Sequence, residues 1–158
     1  MIRTVVFDFG KVLASGEGVI EEAAALLGVP EQDYARVYWA GRTAYDAGCT
    51  DAEYWTPVLA ALGKPTTPEM IDRLARLDAR LWAVMRPTAR ELLRDVRAAG
   101  RTVAVLSNAP FSVDLAFADA DYAPDADLWF VSVFFFNDTA TTEIYTRVEE
   151  GTETAADE

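Results

Sequence analysis

The sequence predicts an α/β fold, in which parallel strands form a sheet and a long helical segment is inserted after the first strand. The first observation is an apolar run, Val5 to Phe7, that ends at the carboxylate of Asp8. The second is an apolar run, Thr102 to Leu106, that ends at Ser107 and Asn108. The third is the helical periodicity of roughly 70 residues between these runs, a stretch too long for a simple crossover.

The two apolar runs are expected to end at the same rim of one sheet. Uninterrupted apolar residues are typical of parallel strands that are covered on both faces. A helix that stops at Gly100 leads directly into the second run, which is half of a βαβ unit. Ligands of open α/β sheets bind at the carboxyl ends of such strands. Asp8 and the Ser107–Asn108 pair are therefore candidate functional residues.

Helix start and stop signals divide the inserted segment and its continuation into five helices. A glycine ends the first, because glycine adopts the left-handed conformation of a helix C-cap at low cost. Two capping boxes, each with a Thr hydroxyl and a Glu carboxylate that satisfy free backbone N–H groups, open the third and the fifth. The predictions are Ile20–Leu27 before Gly28, Tyr34–Ala47 before Gly48, Thr50–Glu53 opening a helix to Leu62, an apolar core stripe at Met70, Leu74, Leu77, Leu81 and Val84, and Thr88–Glu91 opening a helix to Ala99.

The composition is that of a globular chain and excludes several kinds of site. At 158 residues, with 51% hydrophobic and 11% aromatic residues, the chain can bury one sizeable core. No apolar stretch reaches the ~20 residues of a membrane helix and no signal segment precedes the first strand, so a cytoplasmic location without a membrane partner is expected. The lone Cys49 and the absence of histidine exclude an internal disulfide and a His/Cys metal site. Any metal needs oxygen ligands.

The negative charge argues against a nucleic-acid partner and is unevenly distributed. Residues 1–133 carry 13 basic and 19 acidic groups, a balance of −6, and the last 25 residues carry 1 basic and 7 acidic groups, also −6. Nucleic-acid binding depends on clustered Lys and Arg that neutralise phosphates. We therefore expect no nucleic-acid partner, and the tail stands out from the rest of the chain.

The motif Val5-Val-Phe-Asp-Phe-Gly-Lys-Val-Leu13, followed 99 residues after Asp8 by an apolar strand that ends in Ser107–Asn108, resembles the haloacid dehalogenase (HAD) superfamily. The resemblance covers residues 1–133. It implies a HAD-like Rossmannoid parallel sheet, incomplete here and built from residues 1–14 and 87–133. It also implies that residues 15–86 form an inserted α-helical cap, which closes over the site and sets substrate choice.

The resemblance implies a chemistry for the candidate residues. Asp8 would be the nucleophile, and its second oxygen and the backbone carbonyl of Gly10 would bind Mg²⁺, an ion that prefers oxygen ligands. Ser107 and Asn108 would hold the phosphate. The implied function is Mg²⁺-dependent hydrolysis of a small phosphorylated molecule, a phosphomonoester, through an aspartyl-phosphate on Asp8.

Departures from the family pattern leave two alternatives open. Many HAD phosphatases carry a second aspartate at the position of Gly10, and loss of that general acid slows turnover by about 10²–10⁴-fold if nothing replaces it. One branch of helical-cap phosphatases has Gly there and the metal-free 2-haloacid dehalogenases also lack the aspartate, so both chemistries remain possible. The later lysine and paired acidic residues of the family are absent, which leaves a non-enzymatic binding protein as the third reading. Lys11 is interpreted as a solvated loop residue.

Residues 134–146 resemble a translated sequencing adapter. Residues 137–146 read Asn-Asp-Thr-Ala-Thr-Thr-Glu-Ile-Tyr-Thr, which is, in order, the translation of a common short-read adapter, and the preceding phenylalanines are what a run of T encodes. Such scars are excluded from fold reasoning. We therefore interpret residues 134–158 as an artefactual or disordered tail, and the chain as a truncated hydrolase that is inactive as written. A genuine β-hairpin or interaction tail is the alternative.

Two groups of side chains are expected to have no role in chemistry. Aromatic residues between the strands are predicted to pack in the core, as large rings usually do. Acidic residues before the last strand are interpreted as a solvated loop. The aromatic residues are Trp39, Tyr45, Trp55 and Trp82, and the acidic ones are Asp119, Asp121, Asp125 and Asp127.

Overall fold

The computed structural model describes residues 2–132 and 145–146. Three parallel strands, β1 (Thr4–Asp8), β2 (Thr102–Asn108) and β3 (Leu128–Ser132), are hydrogen-bonded in that order. A two-residue strand, β4 (Tyr145–Thr146), pairs antiparallel with β3. The predicted α/β class and the parallel pairing of the first two strands are confirmed. Most of the adapter-like segment lies outside the described residues.

Six α-helices connect the strands in the described part of the chain. Four of them lie between β1 and the helix that leads into β2, in the region predicted to be inserted and helical. The last, with a 3₁₀ turn at Ala123–Asp125, connects β2 to β3. The helices are α1 (Val19–Leu27), α2 (Glu31–Asp46), α3 (Asp51–Ala61), α4 (Pro68–Trp82), α5 (Pro87–Ala98) and α6 (Phe111–Ala118). In the part of the chain that the structure describes, no helix is long and apolar enough to cross a membrane.

The capping box predicted at Thr50 is present at the start of α3, but the one predicted at Thr88 does not mark the start of α5. Thr50 and Glu53 form both hydrogen bonds of a capping box at the start of α3. α5, however, starts at Pro87, and its N-cap residue Arg86 makes no side-chain capping bond. Proline is favoured at the first helical position, because its fixed φ suits the helix and it has no N–H to leave unpaired. The proposed box at Thr88 therefore lies inside the helix.

The apolar stripe on α4 is buried except at its end. Leu74 and Leu81 are buried in the core, and Met70 and Leu77 pack partly buried against it. Val84 was predicted to continue the stripe but is 58% exposed. α4 ends at Trp82, so the helical spacing no longer places the Val84 side chain on the buried face.

One face of β1 is covered, and the expectation of two covered faces is wrong for this strand. Phe9, which directly follows β1, packs against Phe117 of α6 with ring centroids 4.3 Å apart, and against Tyr122 and Trp129 at 6.0 Å each. Val6 is 58% exposed, because side chains alternate between the faces of a strand. β1 has β2 as its neighbour and lies at the edge of the described sheet.

The acidic segment before β3 contacts α5, and its interpretation as a solvated loop is wrong for Asp125 alone, since the other three aspartates are exposed as interpreted. Asp125 is 8% exposed and pairs with Arg90 and Arg94 of α5. Two neighbours form similar pairs, Asp121 with Arg90 and Asp127 with Arg97. These ion pairs anchor the α6–β3 connection on α5.

Candidate functional site

A cavity of about 200 Å³ lies where the ends of β1 and β2 meet α2, α4 and α6. The loop after β1 and the end of β2 form its floor, which is the rim where open α/β sheets bind ligands. Side chains of the helices form its walls. The lining residues are Phe9, Gly10, Lys11, Trp39, Arg42, Asp46, Trp82, Ser107, Asn108, Ala109, Val113 and Phe117.

The structure brings three of the four predicted site residues into this cavity. Gly10, Ser107 and Asn108 line it. Ser107 is 3% exposed, and Asn108 is partly buried. Asp8, the predicted nucleophile, is exposed at the end of β1 opposite Leu106 and does not line the cavity. Its carboxylate has no hydrogen-bond or ion-pair partner in the described part of the chain, so it is available to a ligand.

Lys11 is exposed, as interpreted, but it also belongs to the cavity. Its ammonium lies 5.0 Å from the centroid of the Trp39 ring, a cation–π contact between the loop after β1 and α2. Its φ of 62° is a left-handed conformation that non-glycine residues rarely adopt. The loop therefore holds a positive charge beside the predicted phosphate-binding residues.

Two tryptophans form walls of the cavity. Trp39 was predicted to pack in the core, but it is 43% exposed and lines the cavity. Trp82 is buried and also faces the cavity, with its ring centroid 6.5 Å from that of Trp39. For Tyr45 and Trp55, both fully buried, the core prediction is confirmed.

A buried ion pair between α2 and α4, which no sequence motif predicts, supports this wall. Arg42 donates from Nη1 to both carboxylate oxygens of Asp78 at 2.9 Å. Tyr38 donates its hydroxyl to Asp78 Oδ1 at 2.6 Å and accepts from Trp82 Nε1 at 2.9 Å. The network therefore connects the ion pair to a wall of the cavity. The available signal was an arginine on the aromatic-rich helix α2 and an aspartate on the apolar stripe side of α4, next to Leu77.

Arg42 also forms a hydrogen bond with Asp46, a second charged residue of the cavity that the sequence does not single out. Its Nε donates to Asp46 Oδ1 at 2.7 Å. Burial lowers the pKa of Arg42, but the attraction of the Asp78 and Asp46 carboxylates raises it by more than burial lowers it, so Arg42 stays a cation. Burial raises the pKa of the Asp46 carboxyl above its ordinary value, an effect that the nearby Arg42 and Lys11 only partly offset. Asp46 is the only acidic residue among the described residues that line the cavity.

The candidate metal ligands match Mg²⁺ in type but not in number. The Asp8 carboxylate and the Gly10 carbonyl are oxygen donors of the kind this ion prefers. The described residues contain no group of three or more His, Cys, Asp or Glu side chains that could hold a metal. A complete Mg²⁺ site therefore needs ligands beyond these residues.

Comparison with known proteins identifies the fold. No protein-family model and no curated protein matches the sequence. A solved structure that does match is the orthorhombic form of YfnB from Bacillus subtilis, a presumed HAD-hydrolase bound to magnesium, and that structure reveals interdomain movement. The TM-score is 0.62 at 17% sequence identity, over 83% of this chain and 65% of that one, so the chain spans less than two thirds of YfnB. This chain therefore has the HAD-like fold.

Proposed function

We propose that the native protein represented by this chain is a cytoplasmic, Mg²⁺-dependent phosphatase of a small phosphomonoester, with Asp8 as its nucleophile. The observation that carries the proposal is the cavity at the joined ends of β1 and β2. There Gly10, Ser107 and Asn108 meet beside Asp8, which has no partner among the described residues, on a HAD-like fold. Fold alone does not determine function, so the proposal depends on these side chains.

The residues of the rim can divide the reaction between them. A carboxylate oxygen of Asp8 attacks phosphorus and forms an aspartyl-phosphate, and water then releases phosphate and restores the carboxylate. The Ser107 hydroxyl and the Asn108 amide donate hydrogen bonds to phosphate oxygens. Lys11 adds positive potential near the transferring group, whereas the charge of Arg42 is balanced by its carboxylate partners on α2 and α4. Bound Mg²⁺, held in part by Asp8 and Gly10, would screen the two anions from each other.

Residues 15–86 are proposed to act as the cap of this active site. The four helices α1 to α4 lie in this range, and α2 and α4 supply Trp39, Arg42, Asp46 and Trp82 to the cavity. A cavity walled by these helices excludes water and strengthens electrostatic interactions within it. The cap would therefore determine which substrates fit.

Dehalogenation of a 2-haloacid is the second candidate function. The cavity has apolar walls at Phe9, Trp82 and Phe117, and the missing acid at Gly10 suits a reaction that releases halide and protonates no alkoxide. In that reaction Asp8 displaces halide from carbon and forms an ester. Release of phosphate from an aryl phosphate, dependent on Mg²⁺, distinguishes the phosphatase.

The first experiment is to resequence the source DNA across the codons for Val131 to Thr146 by a method that uses no such adapter. We expect a reading frame that continues into further lysine and acidic residues. The restored protein should then release phosphate from an aryl phosphate only when Mg²⁺ is present. The chain as printed should be inactive, because its metal ligands are incomplete.

Asp8→Asn tests the nucleophile in the restored protein. We expect loss of phosphate release, because an amide cannot form the aspartyl-phosphate, whereas Asp72→Asn, which alters an exposed ion pair of α4, should retain activity. Intact-mass measurement should detect covalent phosphate on the wild type and none on Asp8→Asn. An unchanged Phe-Phe-Phe-Asn-Asp stretch after resequencing, with no phosphate release, would instead favour a non-enzymatic binding protein.

A further inference from the structure

Hydrolysis of a phosphomonoester leaves an alkoxide or phenoxide that needs a proton, and Gly10 has no side chain to supply one. We propose that Asp46 is the acid–base residue of the cavity: its carboxyl protonates the leaving oxygen and its carboxylate then accepts a proton from the attacking water. This inference rests on the proposed phosphatase function and deepens it. Asp46 would be a catalytic residue supplied by α2.

The position of Asp46 is the first support for this role. It is the last residue of α2, and it lines the cavity together with Gly10, Ser107 and Asn108. Its side chain is 33% exposed, so it can reach a ligand. Arg42 Nε holds Oδ1 at 2.7 Å, while Oδ2 has no hydrogen-bond partner within the described chain. One oxygen is therefore oriented and the other is available to carry a proton.

The charges around Asp46 suit proton exchange. Burial favours the neutral acid and is the largest effect on its pKa. Arg42 and Lys11 favour the carboxylate, and Asp78 of α4 opposes it, with a net upward shift of the pKa. A carboxyl whose pKa is raised toward the working pH can both give and accept a proton, which is what one acid–base residue must do in two successive steps.

The proposed steps balance. Asp8 forms a bond to phosphorus, the bond from phosphorus to the leaving oxygen breaks with its electron pair on that oxygen, and Asp46 gives that oxygen its proton. The alcohol leaves. Water then attacks the phosphorus of the aspartyl-phosphate, Asp46 accepts a proton from it, and the bond from phosphorus to Asp8 breaks. Phosphate leaves, and Asp8 is again a carboxylate and Asp46 an acid.

Two substrates that differ in their need for a proton test the role in the restored protein. Dinitrophenolate leaves without protonation, and phenolate leaves slowly unless it is protonated. Asp46→Asn should lower kcat/KM for phenyl phosphate by about 10²–10⁴-fold and kcat/KM for 2,4-dinitrophenyl phosphate by less than about threefold, because kcat/KM reports formation of the aspartyl-phosphate and not its later hydrolysis. Asparagine still accepts the bond from Arg42. The matched control is Asp72→Asn, which alters another Asp–Arg pair at i, i+4 spacing, with Arg76, outside the cavity.

The pH profile provides a readout that needs no variant to fold. In the wild type, kcat/KM for phenyl phosphate should fall as pH rises through the pKa of Asp46, and kcat/KM for dinitrophenyl phosphate should not show this decrease. Equal losses of kcat/KM on both substrates in Asp46→Asn, or identical pH profiles of kcat/KM for the two in the wild type, would show a merely structural role. Absence of covalent phosphate on Asp8 from dinitrophenyl phosphate would instead reject the phosphatase function, and the role of Asp46 with it.

Discussion

Arg42 is a buried cation whose position depends on two carboxylates from two helices. Asp78, which is 2% exposed, binds it from α4, and Asp46 binds it one turn further along α2. A buried charge is stable only when it is paired and hydrogen-bonded. The pair therefore connects α2 to α4 and fixes the side of the cavity that carries Asp46.

Removing the Asp78 charge should destabilise the protein strongly. Asp78→Asn leaves Arg42 without its main counter-charge, and loss of one partner of a buried pair costs about 3–5 kcal/mol. Urea denaturation followed by tryptophan fluorescence measures the free energy of unfolding. Asp72→Asn, which opens an ion pair with 59% of the Asp72 side chain exposed, should change it by less than about 1 kcal/mol. Equal effects in the two variants would contradict the importance of burial.

At the scale of elements, the ion pairs between α5 and the 3₁₀ turn make stability depend on pH. Burial alone would raise the pKa of Asp125, but hydrogen bonds from Arg94 and Arg90 outweigh it and lower the pKa below the usual 3.8. A carboxyl with a lowered folded-state pKa stabilises the fold above its unfolded pKa, and that stabilisation is lost as pH falls through the folded-state value.

Asp125→Asn should flatten the acid limb of the stability profile. We expect the free energy of unfolding of the wild type to fall from about pH 4 downwards, and the variant to lose less over the same range because it has no carboxylate to protonate. Chemical denaturation at a series of pH values measures this. Asp33→Asn, which removes an exposed pair with Arg36, is the control and should keep the wild-type slope. A wild-type slope in Asp125→Asn would contradict the assignment.

At the scale of the whole molecule, β1 is the element most exposed to contacts with other chains. β2 pairs with one of its edges, and no other strand of the described chain pairs with β1. Val6 on its outer face is 58% exposed. An unpaired, apolar edge strand is a template for pairing with another chain. We therefore expect the chain as printed to self-associate.

The substitution Val6→Lys should reduce this self-association. Charged residues on edge strands oppose edge-to-edge pairing. Val84→Lys is the matched control, because Val84 is equally exposed at 58% but lies outside the sheet. Size-exclusion chromatography with light scattering over a range of concentrations should show a lower average mass for Val6→Lys than for Val84→Lys. Equal masses would exclude the β1 edge as the contact.

Much of this fold could be predicted because the signals are local. The apolar runs that became β1 and β2, the glycine that ends α1 and the capping box of α3 depend on residues within a few positions of each other. The error in the predicted start of α5 also has a local cause, because two start signals overlap there and the helix begins at the proline, Pro87. Local chemistry is present in the sequence before any tertiary contact forms.

The sequence by itself determined the α/β class, the strand ends that carry Asp8, Ser107 and Asn108, and the HAD resemblance. Only the tertiary structure decided that Asp46, Arg42 and Trp39 reach the cavity and that Val6 faces outward. The physical reason is that burial and electrostatics depend on which distant segments meet. Asp46 and Ser107 are far apart in the chain, and no local pattern reports that they line one cavity.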